Sequence, residues 1–249
     1  MPRIMRSECT SGVYHVFNRG VGRQFIFEDN DDRLEFLGLI ARFSASLHVT
    51  ILAWVLMDNH VHLLLQAPIT AISSFMRTLQ STYASYFNKC HRHTGHLFQG
   101  RFGSQGIESD EQLLTVVRYI HRNPIEGGLC ESLDYAWSSY REYTGQPNIC
   151  DITLVSSMFD NLAAFQAFHA MATAAHIEIE TKPRQPAKPS NSRALRIAEH
   201  ELGPEWRELL LTKDKRFRDT SICKLKACGL SIRQIERMTG IGRGIIQRC

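Results

Sequence analysis

The sequence predicts an α+β protein: a ferredoxin-like antiparallel sheet with helices on one face, followed by a small all-α C-terminal domain of helix-turn-helix type. Three observations predict it. Strand-like and helix-like segments follow one another in the order β-α-β-β-α-β-α through the first half of the chain. The stretch Asn59 to Gln66, NHVHLLLQ, places two histidines two residues apart inside an apolar run. The charge also changes sign late in the chain: residues 1–181 hold 13 Lys+Arg against 18 Asp+Glu, and residues 182–249 hold 16 against 7.

In chain order, VYHVFNRG (Val13 to Gly20) reads as a short strand with turn chemistry at Asn18–Gly20. Asp31 to Leu47 has Leu34, Leu37, Ile40 and Phe43 at helical spacing, with Asp31 and Asp32 suited to a helix N-terminus. Val49 to Met57 is a buried strand, and after an Asp-Asn turn HVHLLLQA is its antiparallel partner. Ile69 to Cys90 is a long helix. A His-, Arg- and Gly-rich loop (His91 to Gly100) leads to a strand around Arg101 to Ile107. Ser109 to Pro124 is a helix that Ser109 would cap and the Asn-Pro step would stop. TKPRQPAKPSNS (Thr181 to Ser192), with three prolines and nothing apolar larger than alanine, is a linker. The domains are then 1–150, a helical extension 151–180, the linker 181–192 and a basic helical domain 193–249. In the last of these, Ile232, Ile235, Met238, Ile241, Ile245 and Ile246 form one small core.

Composition bounds the rest. With 43% hydrophobic and 22% charged residues the chain is an ordinary globular one. No apolar run approaches the roughly 20 residues of a membrane span, and the N-terminus lacks a signal-peptide core, so a cytoplasmic, nucleoid-associated protein without membrane contact is expected. Seven scattered cysteines with no CxxC pair point to reduced thiols. The basic C-terminal part suits a polyanion, since phosphate neutralisation dominates nucleic-acid affinity.

On a strand, His60 and His62 project from one face while Val61 points away, which makes half of a divalent-metal site. The helix ending at Asn-Pro offers Tyr119 and Asn123, four apart and so on one face, with His121 roughly opposite. A phenol can attack a phosphodiester while an amide oxygen completes a ligand set for Mg²⁺ or Mn²⁺. Tyrosine ionises only near pH 10, so it needs a cation on the phosphate to offset charge in the transition state.

HVFNRG, WVLMDNHVHLLL, HRHTGHLFQGRF, RYIHRNP and WSSY (Trp137 to Tyr140) together resemble single-tyrosine HUH transposases, and most closely the REP-associated tyrosine transposase branch. The resemblance spans roughly residues 10–145. It implies that His60 and His62 bind a divalent cation, that Asn123 completes the site, and that Tyr119 becomes linked to the 5′-phosphate of cleaved single-stranded DNA, leaving a 3′-hydroxyl. Two positions depart from the branch: Gly103 and Glu126 stand where a basic residue and an arginine are usual. The expected partners are single-stranded or hairpin DNA, with duplex DNA at the C-terminal domain, bound by a monomer or homodimer. Arg19, Arg92, Arg101, Arg118 and Arg122, and in the C-terminal helices Arg233, Arg243 and Arg248, are the expected DNA contacts.

Plainer readings compete. His15 and His48 are expected to be structural, and Tyr83 and Tyr86 packed aromatics. Cys90, His91, His93 and His96 match no familiar zinc spacing and read as a phosphate-contacting loop. Two other classes of function stay open: a non-cutting repeat-binding protein, and a transcriptional regulator acting through its C-terminal helices.

Overall fold

A computed structural model describes residues 8–145, 147–171, 191–212 and 215–249. The chain runs β1 (Val13–Arg19), a 3-10 turn (Val21–Arg23), α1 (Asn30–Leu47), β2 (Thr50–Met57), β3 (His60–Gln66), α2 (Ile69–Cys90), β4 (Gly103–Ile107) and α3 (Asp110–Glu126). Short helices α4 (Tyr140–Thr144), α5 (Thr153–Ser156) and α6 (Leu162–Ala170) come next. The C-terminal part holds α7 (Asn191–Leu202), α8 (Trp206–Thr212), α9 (Lys215–Ala227), α10 (Ile232–Thr239) and α11 (Arg243–Arg248). Most of the Pro-rich linker lies outside the described residues; its last two positions, Asn191 and Ser192, already belong to α7.

The four strands form one sheet in the order β2-β3-β1-β4, with β3 antiparallel to β1 and β2, and β4 antiparallel to β1. This is the ferredoxin-like arrangement the element order implies. The two crossover helices α1 and α2 cover one face, over Tyr14, Val16, Trp54, Leu63 and Leu65. Helix α3 covers the other face, so the one-face expectation fails for it: Val116, Val117 and Ile120 pack with Val13, Val55 and Leu64. Coverage of both faces explains why Leu63, Leu64 and Leu65 form an unbroken apolar run. All three are 0% exposed, each stabilising the fold by on the order of 2 kcal/mol.

Local chemistry sets the helix ends. Asp29 caps α1 by accepting from the Asp32 backbone N–H, and Ser109 caps α3 by accepting from that of Gln112. The buried face of α1 differs from the expected one. Phe36, Leu39 and Ile40 are buried with Arg33, whereas Leu34 is 58% exposed. Arg33 wins the inward position because its guanidinium donates to Asp58 and to the Asp29 carbonyl and lies over the rings of Phe27 and Trp137. Helix α3 also runs two residues past Pro124, because a proline in the last turn forfeits a single backbone bond.

The WSSY segment closes the open edge of β2. Leu56 N–H donates to the Trp137 carbonyl, Ser139 N–H to the Trp54 carbonyl, and Trp54 N–H to Ser139 Oγ. Glu142 anchors the segment after α4: one oxygen accepts from the Trp54 indole and the other from the backbone N–H groups of Asn148, Ile149 and Cys150. At the far end of the chain, α7 to α11 share a separate core built on Trp206, Ile222, Leu225, Ile235 and Ile246. Ile232, Met238, Ile241 and Ile245 pack against it as the spacing predicts. A Ser231–Gln234 capping box starts α10 and a left-handed Gly240 ends it, giving a helix–turn–helix.

Candidate active site

The Asp58–Asn59 turn delivers His60 at the start of β3, opposite Arg19 of β1, and His62 opposite Phe17. Both histidines leave the sheet on the face that α3 crosses. Their rings meet edge to face at 5.0 Å between centroids, and the Tyr119 ring stands perpendicular to His62 at 5.4 Å. His60 Nε2 lies 3.2 Å from Asn123 Oδ1, and His60 Nδ1 lies 2.7 Å from Asn59 Oδ1. Four residues from two distant segments therefore converge on one spot, in the combination the sequence suggests: His60, His62, Tyr119 and Asn123.

The donor set fits a divalent cation. If Asn59 Oδ1 accepts from His60 Nδ1–H, then His60 Nε2 carries a lone pair, and it faces the lone pairs of Asn123 Oδ1 with no proton between them. His62 Nε2 is buried and has no hydrogen-bond partner. Unpaired buried nitrogen and opposed lone pairs are both costly unless a cation sits among them. Burial also keeps the imidazoles neutral and so able to ligate. Desolvation lowers His60 to about 4, against some help from its Asn123 contact, and holds His62 well below its ordinary value.

The nucleophile candidate is not ionised by its surroundings. Burial pushes the Tyr119 phenol up to about 12; an Asn123 side-chain hydrogen bond favours the phenolate, and the Glu126 carboxylate opposes it. Asn123 thus touches both the phenol and His60.

One contributor is not apparent from the sequence. His15 is fully buried, and its Nε2 lies 3.0 Å from His62 Nδ1 with the two rings stacked. Alternation along β1 puts His15 on the Phe17 face, a legible signal, but its partner on another strand is visible only once the register is known.

The expected arginines divide. Arg19 borders the site, and its Nε donates to Gln99 of the loop between α2 and β4. Arg92 and Arg101 are exposed on that loop and on its exit. Arg118 and Arg122 are not brought to the site. Arg122 donates to the His169 carbonyl, and Arg118 to that of Phe168, whose ring it also covers, so both close the C-terminal end of α6. Arg233, Arg243 and Arg248 are exposed on α10 and α11, where Arg243 pairs with Glu236. In the loop, His91 is taken by Asp32 and His93 by Asn88. Donor atoms of Asp29, Asp32 and His91 do lie within 4.8 Å of one another. The two aspartates are the cap and the first-turn acceptor of α1, and that structural work accounts for the cluster.

Residues 8–123 match the family described as Transposase IS200 like. This segment is similar to IS200-like transposases. The match begins just before β1 and ends at Asn123, so it contains every residue of the site. No curated protein matches the chain significantly. Among solved structures, the chain is similar to a REP-associated tyrosine transposase bound to a REP hairpin, at 17% identity and a TM-score of 0.47, covering 59% of this chain and 87% of that one. It is also similar to a putative transposase from Deinococcus radiodurans, at 19% identity and a TM-score of 0.35, covering 49% and 95%. No helix among the described residues is long and apolar enough to cross a membrane.

Proposed function

We propose that this chain is a metal-dependent single-strand DNA transesterase of the REP-associated tyrosine branch, which cleaves and rejoins DNA at hairpin-forming repeats through a 5′-phosphotyrosine. The observation that carries the reading is the buried, unpartnered His62 Nε2 beside His60 Nε2 and Asn123 Oδ1, which lie 3.2 Å apart, with Tyr119 against the His62 ring. His60, His62 and Asn123 would hold Mg²⁺ or Mn²⁺, which when bound neutralises charge on a phosphate oxygen and polarises phosphorus.

The chain's own residues do the rest. Tyr119 Oη bonds to phosphorus and the P–O3′ bond breaks; the phenolic proton is lost and the departing 3′ oxygen gains one. Asn123 steadies the phenol in line with the site, and the Arg19 charge beside His60 favours an incoming anion. Reversal by a second 3′-hydroxyl rejoins DNA at the same centre. The exposed arginines of α10 and α11 give the basic C-terminal domain a surface for the duplex stem of a hairpin.

The test is a denaturing gel of full-length protein with hairpin-bearing single-stranded DNA and Mn²⁺. A covalent adduct is expected, absent in Tyr119→Phe and strongly reduced in His60→Ala. An undiminished adduct in Tyr119→Phe overturns the assignment of the nucleophile. Tight hairpin binding by wild type with no adduct under any metal favours a non-cutting repeat-binding protein instead.

A further inference from the structure

We propose that His15 is a positioning residue for the metal site: it accepts the Nδ1–H of His62 and so holds His62 in the tautomer whose Nε2 lone pair faces the cation. The inference rests on the metal site of the preceding reading and adds a residue from a different strand.

A neutral imidazole carries one proton, so the 3.0 Å contact between His15 Nε2 and His62 Nδ1 holds a single hydrogen that can sit on either ring. If it sits on His15, the other nitrogen of His62 must carry the remaining proton, and an N–H rather than a lone pair points at the metal position. If it sits on His62 Nδ1, then Nε2 is free to ligate. Metal-bound histidines ordinarily donate their second N–H to a carboxylate, a carbonyl or water, which fixes both ring orientation and tautomer. Here an imidazole nitrogen fills that role.

Packing alone does not account for His15. It lies among the rings of Phe17, His62 and Tyr119 and is 0% exposed. A phenylalanine would occupy that space with no polar atom to desolvate. His15 instead buries two nitrogens, and its Nδ1 has no hydrogen-bond partner at all. Such a penalty suits a residue retained for what its other nitrogen does.

The experiment is titration of metal-free full-length protein with Mn²⁺, monitored by calorimetry and by the EPR signal of the free ion, so that the readout is binding rather than turnover. His15→Phe should bind Mn²⁺ about 10- to 100-fold more weakly than wild type while keeping the wild-type fold by circular dichroism. His15→Gln, whose Oε1 can accept the same hydrogen, should recover most of the affinity. Wild-type affinity in His15→Phe overturns the proposal. So does a glutamine variant as weak as the phenylalanine one, since that leaves only the size of the ring. Should His15→Phe fail to fold, His15→Leu supplies the same contrast with His15→Gln. The parent reading has its own control: His62→Ala should bind no Mn²⁺ at this site. A wild-type protein that binds none either overturns the metal site and the role of His15 with it.

Discussion

Position 103 shows how one missing side chain is tied to its neighbour. Gly103 pairs with Phe17 across β1 and β4, and a Cβ placed there would lie 2.3 Å from the Phe17 ring. Phe17 in turn sits opposite His62, so ring and glycine share the row of residues beneath the candidate site. Gly103→Arg should therefore destabilise the domain by about 1–3 kcal/mol through overpacking. Combined with Phe17→Leu, the loss should be less than additive, because both changes act on the same contact. Urea unfolding of the two single variants and the double variant checks this; strict additivity would disprove the coupling. Glu126 is the other departure, and its carboxylate holds the Tyr119 phenol up. Glu126→Gln should lower the phenol's pKa, raise the phenolate fraction at pH 8 and speed adduct formation about twofold. Because Glu126 is exposed, the gain should fade as salt rises past roughly 0.3 M.

Among the elements, the limits of α2 and the two histidines on one strand face were legible in the sequence, because helical spacing and two-residue alternation are properties of a single segment. The inward face of α1 and the work of Arg118, Arg122 and His15 were not, because each is settled by a partner distant in sequence. Helix α6 is such a partner. His169 Nδ1–H donates to the Phe165 carbonyl, and its Nε2 accepts from His121 Nδ1–H; His121 Nε2 then accepts from the Ser139 hydroxyl. This arrangement of protons holds His169 neutral, since a second proton would confront the His121 N–H. Burial lowers His169 to about 4 from 6.5. A base with a depressed folded pKa contributes stability that is fully present above about 6.5 and is lost as pH falls toward 4. The limit is about 3 kcal/mol, at 1.36 kcal/mol per pKa unit. His169→Gln should be less stable than wild type at pH 7.5, and the gap should narrow on acidification to pH 5. A gap that stays constant with pH would show that the proton on His169 does not matter to the fold.

For the whole molecule, the C-terminal core stands apart from the cores of the sheet, as the charge split foreshadows. The C-terminal core shares no residue with the two cores that flank the sheet. Its chain segment also carries all of the basic excess, 16 Lys+Arg against 7 Asp+Glu over residues 182–249. Arg233, Arg237, Arg243 and Arg248 are exposed on α10 and α11, and the Arg243–Glu236 pair is a surface contact of small worth that a phosphate can displace. Each guanidinium that neutralises a duplex phosphate steepens the dependence of log affinity on log salt by about 0.9. Replacing all four arginines with glutamine in the full chain should leave the sheet domain intact and flatten that slope by about 3.6 on a hairpin with a long stem. The same change should be much smaller on an unstructured strand, which offers no stem to the helix–turn–helix. Single-turnover adduct formation at saturating DNA should stay at the wild-type rate, since none of the four lies within residues 8–123. Fluorescence anisotropy across a salt series separates the outcomes: an unchanged slope on the hairpin removes duplex DNA from the C-terminal domain, and a slope lost equally on both probes makes that domain a general polyanion surface.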